Sequence, residues 1–345
     1  MKTLFAFTFI FIFSFAFSQD IELIKLYKNI KDKRGLIKSL SVIDNRPDKN
    51  IGTLSDSKKT VSLKFENEDL KSYIENWFNS DNKTEGNTDL VLMIEEIKSY
   101  QEQNLETNES VPKLKVKISS FIKRNDKYYF INRFDNIAIV PINRAAFSQD
   151  YFADQISNLF TNFIKSSYTS TVSSYVIPEN EINNYNNYLV KNSKALNSSE
   201  LKDGFYKNFK NFSNQEPDAN YTLERNKKGK PKRLKYNGEQ VPFSEIYGFV
   251  ENGKVYKLTP VGFDEMQKDE KGFHLYTSRN NIFLKNSNNV MIGAMAGGMV
   301  GALIGGIIDA NSNNNSGGMI PFGYSNHAQC IVYIDSLTGD YVFTQ

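Results

Sequence analysis

Few side chains in this 345-residue chain have the types and spacing that chemistry requires. Its two histidines, His274 and His327, stand between Phe273 and Leu275 and between Asn326 and Ala328, with no partner at metal-ligand spacing. Each reads as a structural or surface residue. The sole cysteine, Cys330, opens the apolar run Cys330-Ile331-Val332 and reads as a small buried hydrophobe. A nucleophilic pair of Cys330 and His327 would need a fixed hydrogen bond and an orienting carboxylate, and the loop-to-strand spacing supplies neither. Asp44, Asp48 and Asn50 offer oxygens to a cation, but Arg46 and Pro47 interrupt the alternating pattern of a calcium loop. The preferred reading there is a turn capped by Asp44, with Arg46 paired to an acid. Glu95 and Glu96 are neighbours in a predicted strand, so they point to opposite faces and cannot form an acid/base couple. The loop from Lys227 to Arg233 holds five cations in seven residues without aromatic interleaving, the pattern of a solvated hairpin tip and only occasionally of a contact for phosphate-bearing lipid. No catalytic, cofactor or metal site is assigned, and the chain is expected not to be an enzyme. The rival expectation is a ligand-binding module or hydrolase with an interdomain site that holds His274 or His327 beside a carboxylate.

The most specific pattern concerns packing. Val290 to Ile308 runs nineteen residues without a charge, and Gly293, Gly297, Gly301 and Gly305 recur every four positions. On a helix they form one ridge, with Ala294, Gly298, Ala302 and Gly306 beside it, so that one face of this glycine zipper is nearly flat. Glycine at 293, 297, 298, 301, 305 and 306 costs on the order of 6 kcal/mol relative to alanine, which close approach of a partner must offset. Ile292, Met299, Leu303 and Ile307 exclude a solvated linker. A helix of this length rises about 28 Å, enough for one bilayer crossing. Against a single pass stand the stretch Asp309 to Gln345, which has no lysine or arginine, and its hairpin, whose sheet partners must lie before the zipper. The segment is therefore expected to leave a β unit and return to it.

The elements around these residues follow from periodicity. Lys2, the apolar run Leu4 to Phe17 and Ala16-Phe17-Ser18 fit a secretory signal peptide over 1–18, which predicts export to the periplasm or outer membrane, or release outside the cell. One cysteine cannot make an internal disulfide, so packed cores must supply stability. Lysine plus arginine, 42, nearly balances aspartate plus glutamate, 39, which gives no electrostatic case for nucleic acid. Residues 19–168 read as an α+β domain, with strands at Leu36–Ile43, Thr60–Phe65, Asp89–Ile97, Lys113–Lys123 and Tyr128–Phe134, continuing over Asn136–Val140. Amphipathic helices are predicted at Asp69–Phe78 and Tyr151–Ser167. Residues 169–200, rich in Ser, Thr and Asn, read as a linker with one short helix, the second half reading equally as a surface edge of either domain. Residues 201–345 read as a mostly antiparallel β domain interrupted at 290–308. It has a hairpin about Asn252-Gly253, strands at Gly272–Thr277 and Asn281–Leu284, and a closing hairpin about Ser336 to Gly339. The fold class is α+β.

The run Leu40-Ser41-Val42-Ile43-Asp44-Asn45-Arg46-Pro47-Asp48-Lys49-Asn50-Ile51-Gly52, with the aspartate-led apolar run Asp89 to Ile94 further on, resembles the YajG-type family of envelope lipoproteins over 36–167. The lipobox cysteine of that family is missing here, and the resemblance implies a location without an activity. Asp203-Gly204-Phe205-Tyr206, Tyr247-Gly248-Phe249, Gly253-Lys254-Val255-Tyr256, the zipper and Asp335 to Gly339 resemble, over 202–345, an uncharacterised family of secreted envelope proteins with a glycine zipper set in a β domain. Together these imply an exported, non-enzymatic envelope protein. Its zipper would meet a second copy, another envelope protein or a membrane surface; the alternative is a single-pass protein anchored by 290–308.

Overall fold

The computed structural model describes residues 20–55, 60–83, 85–103, 110–139, 149–170, 172, 176–282 and 329–342. The predicted signal peptide at 1–18 and the zipper at 290–308 lie outside them. The chain is an α+β protein with several mostly antiparallel sheets.

Alternating side chains set the first half. Its elements are β1 (Asp20–Ile24), β2 (Ile37–Asp44), β3 (Thr53–Ser55), β4 (Thr60–Phe65), α1 (Leu70–Asp81), β5 (Thr88–Gln103), β6 (Ser110–Arg124), β7 (Lys127–Ile139) and α2 (Gln149–Ser167). β8 (Val176–Pro178) completes a sheet in the order β2-β5-β6-β7-β8, in which only β2 and β5 run parallel. Leu114, Val116 and Ile118 of β6 are buried, while Lys115 pairs with Asp135 and Lys117 with Glu95 on the other face. β1, β4 and β3 form a smaller sheet beside it. α1 starts where the Asp69 carboxylate accepts the Ser72 N–H at 3.1 Å, and it buries Leu70, Ile74, Trp77 and Phe78. α2 buries Ile156, Leu159, Phe160 and Phe163, the apolar stripe predicted from its spacing.

The stretch expected as a linker is part of this fold. After β8 come a 3-10 turn at Glu179–Asn184, α3 (Tyr185–Asn192) and α4 (Lys194–Asn197). Ile182, Tyr185 and Leu189 cover Val91, Met93, Phe121 and Phe130 on the outer face of the five-stranded sheet. The asparagines between these apolar positions hid a spacing of three and four residues that suits one covering face.

The second half holds β9 (Gly204–Tyr206), α5 (Phe209–Asn214), β10 (Tyr221–Arg225), β11 (Pro231–Tyr236) and β12 (Glu239–Val241). It continues with β13 (Gly248–Glu251), β14 (Lys254–Thr259), β15 (Gly262–Asp269), β16 (Gly272–Ser278), α6 (Arg279–Ile282), β17 (Gln329–Ile334) and β18 (Tyr341–Val342). Seven of these strands make an antiparallel sheet in the order β18-β17-β16-β15-β14-β13-β9. Asn252 and Gly253 join β13 to β14 with φ of 52° and 75°, as a tight hairpin turn requires. The strand expected at Asn281–Leu284 is absent over its described residues. The chain turns off the sheet after Ser278, and the α6 turn places Ile282 in the core. One hydrophobic cluster runs from Ile24 and α2 through Phe212 to Phe273, Leu275 and Val332, so both halves share it.

Gly52 ties the first loop to β5. Its φ is +113°, and a Cβ there would stand 2.3 Å from the Ser99 carbonyl oxygen. Gly52→Ala is expected to destabilise the fold by about 2–4 kcal/mol, through backbone strain plus displacement of β5. The measurement is the urea midpoint at unchanged slope.

Candidate functional site

All six packing glycines, Gly293, Gly297, Gly298, Gly301, Gly305 and Gly306, lie outside the described residues, but the structure fixes where their segment begins and ends. β16 and β17 pair antiparallel, with His274 opposite Tyr333 and Ser278 opposite Gln329. The chain that leaves at Ile282 therefore comes back, at Gln329, to the neighbouring strand at the same end of the sheet. Residues 283–328 connect two adjacent strands.

The returning strand is keyed into the first half of the protein. Nε and Nη2 of Arg133, on β7, donate to Oδ2 of Asp335 at 2.8 and 2.7 Å, and the two side chains are only 6% and 4% exposed. Asp335 Oδ1 accepts the N–H groups of Leu337 and Thr338 at 2.8 and 2.9 Å, which shapes the β17–β18 turn. Arg133 also donates to Asn186 Oδ1 on α3, and Asn136 Nδ2 donates to the Tyr341 carbonyl at 3.0 Å. Burial opposes the charge of Arg133, but the Asp335 carboxylate outweighs it, and the guanidinium pKa is raised. Leu337 packs against the apolar cluster under α3.

Lys257 of β14 lies at the same junction. It is completely buried, with Nζ 3.8 Å from the centre of the Tyr247 ring and 5.1 Å from that of Tyr341. Burial pushes its ammonium pKa down to about 7, with the Asp340 carboxylate opposing. Burial, with nearby acids, raises the hydroxyl pKa of both Tyr247 and Tyr341. The amine thus packs β14 against Tyr341 of β18. Sequence reasoning missed this cluster. One signal was present: Lys257 stands at the core-facing parity between Val255 and Thr259, both buried.

The predicted chemical candidates fall elsewhere. Arg46 is bidentate to Asp44, at 2.9 and 2.8 Å, and Lys49 joins them at 3.0 Å. Burial works against ionisation of Asp44, yet Arg46 and Lys49 hold its carboxyl down at about 2. Asp48 binds Lys98 of β5, and Asn50 Oδ1 accepts the Gly52 N–H, so the oxygens considered for a cation meet protein donors instead. Among the described residues no group of three or more His, Cys, Asp or Glu could hold a metal ion. Glu95 accepts the Tyr185 hydroxyl at 2.7 Å, whereas Glu96 is exposed. Lys227, Lys228 and Lys230 stand exposed at the β10–β11 turn.

His274 is buried, with Nδ1 3.4 Å from Asp269 Oδ2, which also accepts the Tyr333 hydroxyl at 2.9 Å. A carboxylate does stand beside it, as the hydrolase alternative requires. The groove of about 710 Å³ nearby, however, is lined by Phe273, Met266, Leu201 and Lys268, and Phe273 points to the opposite side of β16 from His274. His327 lies outside the described residues. Cys330 is exposed rather than buried: it is the second residue of β17, at the end where the strand begins.

Comparison with protein-family models, curated proteins and solved structures finds no match to this chain. Among the described residues no helix is long and apolar enough to cross a membrane.

Proposed function

We propose that this is an exported, non-enzymatic envelope protein that presents the glycine-zipper segment 290–308 from the β16–β17 hairpin, for self-association or contact with a membrane surface. The observation that carries the reading is the pairing of β16 with β17. The stretch 283–328 that contains it leaves and rejoins one end of one sheet, so that stretch starts and finishes on the same side of any bilayer. Nineteen uncharged residues are enough for one crossing only, and the polar run Asn311 to Gly318 that follows would leave backbone groups unsatisfied in lipid. This favours a packed or surface-seated segment over the single-pass alternative. The Arg133–Asp335 pair supports the same reading, because it holds the returning strand firmly enough for the hairpin to serve as a mount.

Replacing Gly297 and Gly301 with leucine tests the reading. The flat ridge would be lost, and the expected result is a change in solution mass, in sedimentation with anionic vesicles, or in both. Unchanged mass together with unchanged vesicle binding would overturn it.

A further inference from the structure

We propose that the outer face of β16 and β17, at Tyr276 and Ile331, seats residues 290–308 of the same chain. The proposal rests on the reading of the glycine register as a packing face and adds where that face lies.

β16 occupies an inner position in the seven-stranded sheet, and six of its seven residues are buried; Tyr276 alone stands out, 67% exposed. Directly opposite on β17 is Ile331, 48% exposed. Leu275 and Val332, on the other side of the same strands, are in the core. The two exposed side chains thus share one face as a cross-strand pair, a few ångströms apart. Tyr333 continues the face beyond them, with its hydroxyl tied to Asp269 at 2.9 Å and its ring beside His274. A large aromatic and a β-branched side chain projecting together from neighbouring strands give this face a small apolar patch.

The chain itself indicates which cover. Tyr276 and Ile331 are two residue pairs in from Ser278 and Gln329, the last pair before the sheet gives way to α6 and residues 283–328. A segment that both leaves and rejoins the sheet here is held at high local concentration beside this end of the sheet, within reach of the Tyr276 and Ile331 pair. Residues 309–328 can span about 60 Å when extended, against about 28 Å for a helical 290–308, so the return leg is long enough to run back beside a segment lying on the sheet. Shape agrees as well. The small residues of the register offer a flat surface into which two projecting side chains can fit. Seated this way, the segment keeps Ile292, Met299, Leu303 and Ile307 on its other side for a second copy or a membrane.

Thiol labelling tests the seat directly. In a Cys330→Ser background, Tyr276→Cys and Ile331→Cys each place a single thiol on the face, and Val261→Cys places one at the exposed β14–β15 turn as a control. Each is compared in the full chain and in a chain whose residues 290–308 are replaced by a Gly/Ser sequence of equal length, with circular dichroism confirming the fold. The expected result, in dilute lipid-free solution, is labelling at 276 and 331 about tenfold slower with the native segment, and no difference at 261. Equal rates at 276 and 331 would overturn the seat while leaving the zipper reading to the mass and vesicle measurements. Protection that appears only at high protein concentration would overturn it in favour of a second copy, and protection only with vesicles in favour of a membrane.

Discussion

Arg133→Met is expected to cost about 3–5 kcal/mol of stability, because it leaves the Asp335 carboxylate buried without its counter-charge. Two turn amides would still satisfy Oδ1, but Oδ2 would lose both of its guanidinium bonds. The partner variant Asp335→Asn keeps the turn acceptor and strands the guanidinium instead, so it too is destabilising. Combining them should cost clearly less than the two losses together, since neither charge then remains buried alone. The half-exposed pair between Arg225 and Glu251, at 2.6 Å, supplies the contrast: Arg225→Met should cost less than about 1 kcal/mol. Urea melts of the three single variants and the double variant give these values. A loss below about 1 kcal/mol for Arg133→Met would mean that the junction is held by packing and not by the ion pair. Native-state amide exchange adds a spatial prediction. Opening should increase first in β17 and β18, where the pair is attached, and least in β5 and β6, because the former depend on Arg133 and Asn136 for their hold on β7.

That junction could not be read from the sequence, for a physical reason. Arg133 and Asp335 are 202 residues apart, and neither stands in a pattern that marks it as buried. Elements whose faces differ in polarity were legible. Lys113 to Ile118 alternates because one side of β6 is in the core and the other carries the ion pairs of Lys115 and Lys117, and Tyr151 to Ser167 carries its apolar residues on one stripe. The hairpin at Asn252-Gly253 was legible because its backbone needs positive φ. β1 and β3 escaped notice because five and three residues are too few to show a period, and β1 gains its place by pairing parallel to β4. The stretch 169–200 was misread because composition averages over position: Ile182, Tyr185 and Leu189 do the covering, while Asn183, Asn184 and Asn187 face water and Asn186 meets Arg133. The end of the zipper insertion was the informative case. The stretch Asp309 to Gln345 lacks basic residues and holds a hairpin short of sheet partners, and both facts predicted a return to the sheet, which β16 and β17 make.

Stability should rise between pH 7 and pH 9.5, and Lys257 should be the cause. Its folded pKa, about 7, lies below the ordinary 10.5, so in this window the unfolded chain binds a proton that the folded protein does not. Each pH unit in such a window favours the folded state by up to about 1.4 kcal/mol, giving about 2–3 kcal/mol across it. Below pH 7 lysine is charged in both states and the slope from this group vanishes. Above pH 10 the direction reverses, because Tyr247 and Tyr341 keep their protons in the fold after the unfolded chain has lost them. The acids facing Lys257 and its rings are Asp340 from the turn and Asp264 from β15, so a variant that removes the amine alone separates its proton from theirs. Lys257→Met keeps an unbranched side chain against the two tyrosine rings and removes the proton. Urea melts at pH 7, 8 and 9.5 should therefore show a rising midpoint in the native protein and a flat one in the variant; a rise of equal size in both would assign the slope to another group.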